Sequence, residues 1–331
     1  MSMIYREMDG DTSVLEGRQV SVVGYGNLGR SFALNLRDSG IEVIISERDS
    51  QRQELARQEG FTVLPADKAA SQASIIVLLV PDELMPQIYL EQISPNLQRG
   101  HSLVFGSAYN VTFGYIEAPP FVDVLLIAPR TLGVAVRERY LSGVGFLSFI
   151  SVGQDASGKS WDTLLGLARA VGTLRAGAIE VAFEQEAELD LFIQQAALPA
   201  FHHIILTAAQ LLLERGYPPE AVFTELYLSG ELSDYLFYAT QAGLMSAVRM
   251  ASLTGQYGTF SRLDRFSDLK LQRLMETTLD DIADGSFAKE WAKEYSDGYN
   301  RLRKLIRQQQ SLDLWELEQQ TIELLRPDDE L

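Results

Sequence analysis

The chain has 331 residues and 46% hydrophobic content, enough for two domains with ordinary cores. Its 28 basic and 45 acidic residues leave a net charge of −17, which argues against nucleic acid or an anionic membrane as partner, because both need a basic surface. There is no cysteine, so disulfides, thiolate metal sites and a cysteine nucleophile are excluded.

The opening MSMIYREMDGDTS is polar and acidic and does not read as a signal peptide. The longest apolar runs, near 75–80 and 144–150, fall far short of the ~20 residues that span a bilayer, so a soluble, cytoplasmic protein is expected. Strand signals follow at 19–23 and 42–46, separated by a helical pattern at 29–39. Residues 73–80 (ASIIVLLV) form a buried parallel strand stopped by Pro81, and further strands are expected at 103–106, at 122–128 up to Pro129, and at 146–152. Such alternation of strands and helices implies an α/β domain with a doubly wound parallel sheet of Rossmann type over residues 1–182.

From residue 183 to 331 the pattern is all-α. Helices are expected over 187–215, 219–228, 232–250, 269–284 and 286–308, punctuated at 216–219 and at Gly285. The acidic stretch 312–331 is expected to fray at its end.

Gly24-Tyr25-Gly26-Asn27-Leu28-Gly29 is G-x-G-x-x-G, placed directly after a strand and before a helix. The first glycine allows the tight turn, the second lets the backbone approach a pyrophosphate, and the third lets helix and strand meet closely. The helix N-terminus then offers N–H groups and a positive dipole to the phosphates. About 20 residues on, the second strand ends in Ser46-Glu47-Arg48-Asp49-Ser50-Gln51-Arg52, where the adenosine ribose should lie. Arg48 and Arg52 could hold a 2′-phosphate, and Glu47 or Asp49 could bond free ribose hydroxyls. The paired arginines favour NADP(H) over NAD(H). Val80, Pro81 and Asp82, at the carboxyl end of strand 73–80, are further cofactor candidates, with helix capping the plain alternative for Asp82.

Six separated segments carry a resemblance: LEGRQVSVVGYGNLGRSFALNLRDSG, LLVPDE (78–83), 105–114, QDASGK (154–159), 190–195 and DGSFAKE (284–290). In this order, from about residue 17 to about 298, they resemble the ketol-acid reductoisomerase family, the acetohydroxy acid isomeroreductases of branched-chain amino-acid synthesis. The length is similar to the short class, with one helical domain. The resemblance implies a knotted helical domain interleaved with that of a second subunit, hence a homodimer, with each active site between the nucleotide domain and helices of both chains. It also implies two Mg²⁺ ions that promote an alkyl shift, and NADPH that then reduces the product. The family's metal ligands are an Asp-x-x-x-Glu pair on one helix and a Glu-x-x-x-Glu pair on a helix of the partner.

This chain departs from that pattern. Asp190 is followed at the fourth position by Gln194, and Glu225 by Ser229. Two acids and two neutral groups hold hard cations weakly, so Mg²⁺ is doubtful, and Asp190 and Glu225 are weak candidates for a single remaining metal ion. Glu231 falls on another helical face, and Glu186, four residues before Asp190, could contribute to the site, with a solvated side chain the favoured reading. The family's substrate-contacting hydroxyl falls on Ser252 and is kept, just before Thr254 and Tyr257-Gly258. Ser107 stands where the family has a histidine in F-A-H-G-F-N. A-P-K-G-P-G-H becomes 128–134, which puts Arg130 and Gly133 among the cofactor candidates with Ser107, and a glycine pair becomes Pro199-Ala200-Phe201.

Hydride transfer needs a positioned nicotinamide and a polarised C=O or C=N, whereas the alkyl shift needs strong Lewis acids. The expected function is therefore an NAD(P)H-dependent reductase of a small ketone or imine that lacks the alkyl shift, with Asp190, Gln194, Glu225, Ser229, Ser252 and Ser107 lining the catalytic site. The alternatives are a true reductoisomerase with an altered metal site and a catalytically silent relative. His101 is expected at the surface, His202 and His203 are helical neighbours that cannot pair on one metal, and Tyr109 and Tyr257 are proton-donor candidates whose plainer fate is packing.

Overall fold

The strands of the nucleotide domain are short and buried on both faces, which is why they read as continuous apolar runs. In the computed structural model, which describes residues 3–266 and 269–326, they are β1 (Ile4–Tyr5), β2 (Val20–Val23), β3 (Val43–Ser46), β4 (Thr62–Val63), β5 (Ile75–Leu78), β6 (Ser102–Phe105), β7 (Asp123–Pro129), β8 (Ser148–Gln154) and β9 (Ala178–Glu180). They form one sheet in the order β1-β9-β8-β7-β6-β5-β2-β3-β4.

From β4 across to β7 every pairing is parallel. The chain runs outward from β2 through β3 to β4 and, on the other side, from β5 through β6 to β7. The crevice between β2 and β5 is the switch point where α/β sheets take ligands. Beyond β7 the sheet departs from the expected parallel form. β8 runs antiparallel to β7, β9 runs parallel to β8, and β1 closes the edge antiparallel to β9. Pro129, expected to stop β7, is its last residue and pairs with Ser148.

The helices of this unit are α1 (Asn27–Asp38), α2 (Ser50–Gln58), α3 (Ala66–Gln72), α4 (Met85–Ile88), α5 (Tyr109–Thr112), α6 (Gly133–Leu141), α7 (Ser160–Val171) and α8 (Phe183–Phe192). Successive strand residues alternate between two cores, as the period of two requires. Leu125 and Ile127 join Phe32, Leu36, Leu164 and Leu167 on one face. Val124 and Leu126 join Met85, Tyr89, Phe183 and Ala187 on the other. His101, expected at the surface, is only 9% exposed, because it precedes β6 at the bottom of the sheet, and its Nδ1 accepts from the Gln98 N–H at 3.4 Å.

The chain divides into two units, Met1–Asp190 and Leu191–Leu331. Among its described residues the second is helical throughout: α9 (Leu198–Glu214), α10 (Pro219–Phe223), α11 (Glu231–Ala242), α12 (Leu244–Val248), α13 (Leu253–Phe260), α14 (Leu269–Ala283), α15 (Ser286–Ser296), α16 (Asn300–Gln310) and α17 (Asp313–Leu325). Two expected helices are broken. Gly243, at φ +89°, separates α11 from α12, and Tyr299, left-handed at φ +62°, precedes α16. The end of the expected acidic tail, 327–331, lies outside the described residues. The helical run Phe183–Glu214 is 32 residues long and apolar enough to cross a membrane by length and composition. The expectation from uninterrupted runs missed it, because its apolar residues are spaced among Gln194, Gln195, His202 and His203.

Candidate active site

The glycine-rich loop leaves β2 and enters α1 at the switch point. Gly24 has φ +101°, and a Cβ there would stand 2.6 Å from the Leu79 carbonyl oxygen, so no other residue fits. A Cβ on Gly29 would lie 2.0 Å from the Gly24 carbonyl oxygen, the close approach of helix to loop. Gly26 faces open space, with Arg52 Nη1 the nearest atom at 3.9 Å from a Cβ built on it. Gly26 also caps α1 without a side-chain bond, so the first N–H groups of the helix are left for a ligand. Gly133, at the start of α6, rests on this loop, and a Cβ there would meet the Leu28 nitrogen at 2.7 Å.

A cleft of about 930 Å³ opens above the loop, lined by Gly24, Gly26, Asn27, Leu28, Arg48, Arg52, Val80 and Pro81. Sequence reasoning missed Gln53, Arg57, Leu64, Leu84 and Gln92 on its walls, since none belongs to a spaced motif. The Tyr25 side chain turns into the core, where its hydroxyl donates to Glu59 Oε2 at 2.6 Å; burial, then that carboxylate, raises the hydroxyl's pKa.

At the adenosine end, both carboxylates are used by the backbone. Glu47 Oε2 accepts from the Tyr25 N–H at 2.7 Å, and its Oε1 accepts from the N–H groups of Arg48 and Asp49 at 2.7 and 3.0 Å. Asp49 caps α2 by accepting from the Arg52 N–H at 2.9 Å. The side chains of Arg48 and Arg52 line the cleft. Bare glycine backbone, an uncapped helix N-terminus and two arginines fit a phosphorylated dinucleotide.

Acidic groups gather past the ends of β5, β6 and β7. Asp82 accepts from Asn110 Nδ2 at its backbone oxygen (3.1 Å) and at Oδ1 (3.3 Å). Burial, helped by repulsion from Glu83, Asp190 and Glu186, pushes its carboxyl up to about 7. Ser107 Oγ accepts from the Tyr109 N–H at 3.2 Å. The Tyr109 hydroxyl and Asn110 Oδ1 are buried and find no hydrogen-bond partner among the described residues. Burial raises the Tyr109 hydroxyl's pKa.

Glu186 overturns its expectation. It is 0% exposed, not solvated. Its Oε2 accepts from the Ala108 N–H at 2.7 Å and its Oε1 from Arg130 Nη2 at 2.8 Å. Arg130 Nη1 also donates to Asp190 Oδ1 at 3.0 Å, and the guanidinium lies 4.9 Å from the centre of the Phe149 ring. Burial raises the Glu186 carboxyl's pKa, against the lowering by Ala108 and Arg130. The i, i+4 spacing of Glu186 and Asp190, already visible in the sequence, puts both on one face of α8.

The other candidates lie in the second unit. A π turn over Ile193–Ala197 contains Gln194, and another over Thr224–Leu228 contains Glu225 and leads into Ser229. Such turns are frequent at functional sites. Glu225 and Ser229 are exposed, and Ser229 Oγ accepts from the Glu231 N–H at 3.3 Å. Ser252 caps α13, accepting from the Gly255 N–H at 3.2 Å, and Tyr257 is 72% exposed. His202 and His203 are exposed, and His202 lines an apolar cavity of about 470 Å³ with Phe201, Tyr227 and Trp315.

Among the described residues no three His, Cys, Asp or Glu side chains are placed to hold a metal. Asp190 is bonded to an arginine, and the positions four residues after Asp190 and Glu225 are neutral. This donor set does not fit the Mg²⁺ pair that the resemblance implies.

Two family models match the chain: acetohydroxy acid isomeroreductase, NADPH-binding domain, over residues 14–177, and ketol-acid reductoisomerase, C-terminal domain, over residues 183–326. The chain is 39% identical over 308 residues to a protein of Pyrobaculum aerophilum named ketol-acid reductoisomerase (NADP(+)), covering 92% of this chain and 93% of that one. A protein of the same name from Methanopyrus kandleri is 39% identical over 307 residues, with the same coverage. Among solved structures, an NADH-preferring ketol-acid reductoisomerase from an uncultured archaeon superposes with a TM-score of 0.91 at 31% identity, covering 99% of this chain and 100% of that one.

Proposed function

The chain belongs to the ketol-acid reductoisomerase family, and from that premise we propose that it is an NADP-dependent oxidoreductase that reduces a small ketone or imine without the metal-dependent alkyl shift. The observation that carries this reading is the ion pair between Arg130 and Asp190, together with the neutral side chains at Gln194 and Ser229.

Each part of the first unit has a task in such a reduction. The glycine loop and the N-terminus of α1 bind the pyrophosphate, and Arg48 and Arg52 hold the 2′-phosphate. The preference for NADP(H) over NAD(H) rests on those arginines and on the use of Glu47 and Asp49 by the backbone. Bound NADPH supplies the hydride. Asp82, next to Pro81 on the cleft wall and with its carboxyl pushed up to about 7, is a group that can give up or take a proton near neutral pH.

The proposal includes a cytoplasmic homodimer with interleaved helical domains. What supports it is the apolar surface of the second unit, where Leu198, Phe237, Leu253 and Tyr257 are exposed in the single chain. A second copy of the chain would cover such residues, which also accounts for the apolar run Phe183–Glu214 without a membrane.

The test is consumption of 2-acetolactate with NADPH in the presence of Mg²⁺. No consumption is expected, while plain 2-keto acids or cyclic imines oxidise NADPH. Mg²⁺-dependent consumption would instead establish a true reductoisomerase. Tight NADPH binding without turnover on any substrate would mark a silent relative.

A further inference from the structure

We propose that Arg130 is the resident counter-cation of the acid pocket, and that by holding Asp190 it closes this carboxylate to divalent metal. The proposal deepens the metal-free reading above and rests on it. Glu186 and Asp190 stand one helical turn apart on α8, and the flat guanidinium spans both, Nη2 to Glu186 at 2.8 Å and Nη1 to Asp190 at 3.0 Å. Its Nε donates to the Ala128 carbonyl at 3.3 Å, and its Cζ lies over the Phe149 ring, 4.9 Å from the ring centre. Every nitrogen of the group is therefore committed. Glu186 passes the order on to the loop after β6, since its other oxygen accepts from the Ala108 N–H at 2.7 Å.

The identity of this residue matters beyond its charge. Arginine stays protonated at any working pH, and its fork can bond two carboxylates at once. A lysine ammonium is a point donor on a flexible stem and would leave one of the two carboxylates open. A hard divalent ion needs several anionic oxygens. At Asp190 it would meet a fixed positive charge 3.0 Å from the oxygen it requires. The acid pocket is thus neutralised in part from within, and Arg130 is a positioning residue that sets Glu186, Asp190 and the Ser107–Ala108 turn.

The test is Mn²⁺ binding, read from the loss of the free-ion EPR signal, on three full-length proteins: the native chain, Q194E/S229E, and R130K/Q194E/S229E. The lysine keeps a cation beside buried Glu186, and a cooperative thermal unfolding transition checks that each protein is folded. The triple variant is expected to bind Mn²⁺ at least tenfold more tightly than the double variant, with the native chain weakest. Equal affinity of the double and triple variants, at any absolute value, would overturn the proposal. Failure of the functional reading is a separate result, because it appears as Mg²⁺-dependent loss of 2-acetolactate in the native enzyme.

Discussion

Arg130 Nη2 lies 2.8 Å from Oε1 of Glu186, a carboxylate with no exposed surface. An isolated charge in such a place is expensive, so breaking the pair should be costly. Arg130→Leu is expected to lower stability by about 3–5 kcal/mol in urea unfolding. Adding Glu186→Gln should recover a large part of that loss, because the uncompensated carboxylate is then gone. Independent, additive losses would contradict the pairing.

Gly24→Ala should cost both stability and cofactor affinity. The new methyl would sit 2.6 Å from the Leu79 carbonyl oxygen in a backbone with φ +101°. Left-handed strain and the clash together should cost about 2–3 kcal/mol. Dinucleotide affinity, followed by nicotinamide fluorescence, should fall at least about tenfold, since the loop can no longer hold its turn. Unchanged affinity would remove the loop from the binding site.

Arg52 is the cofactor discriminator to remove first, because its guanidinium hangs over Gly26. A charge-assisted bond to phosphate is worth roughly 1.5–3 kcal/mol, so Arg52→Ala should raise KM for NADPH by about 10- to 100-fold. KM for NADH should move little. An equal loss for both cofactors would place Arg52 on the pyrophosphate instead.

Asp82 predicts a pH signature. Its carboxyl is raised from 3.8 to about 7 in the folded chain, so the native state binds the extra proton. The stability this proton gives is complete below about pH 4 and is lost as the pH rises through about 7. Asp82→Asn keeps the shape and removes the titration. Its melting temperature should match the native value near pH 4 and clearly exceed it at pH 8. Parallel melting curves across that range would show that Asp82 does not titrate where its burial implies.

The nucleotide half was legible because its determinants are local. The spacing of Gly24, Gly26 and Gly29 fixes a turn, and strand 73–80 announces itself by burial on both faces. The antiparallel edge was not legible, since β1 meets β9 across about 175 residues and each is only two or three residues long. Asp190 and the departures at Gln194 and Ser229 were visible in the sequence, but the partner of Asp190 was not. Arg130 is 60 residues away, on the loop after β7, and nothing in its neighbours marks it as paired. Glu186 was misread for a physical reason. It stands between Glu184 and Glu188, which look like a solvated acidic face, yet the turn of α8 carries Glu186 inward with Phe183 and Ala187.

The most direct test of the central claim is NADPH oxidation by the dialysed enzyme with plain 2-keto acids and cyclic imines, with EDTA and with Mg²⁺. Metal-free reduction predicts equal rates in the two conditions for whichever substrate turns over. Activity that disappears in EDTA and returns with Mg²⁺ would contradict the account.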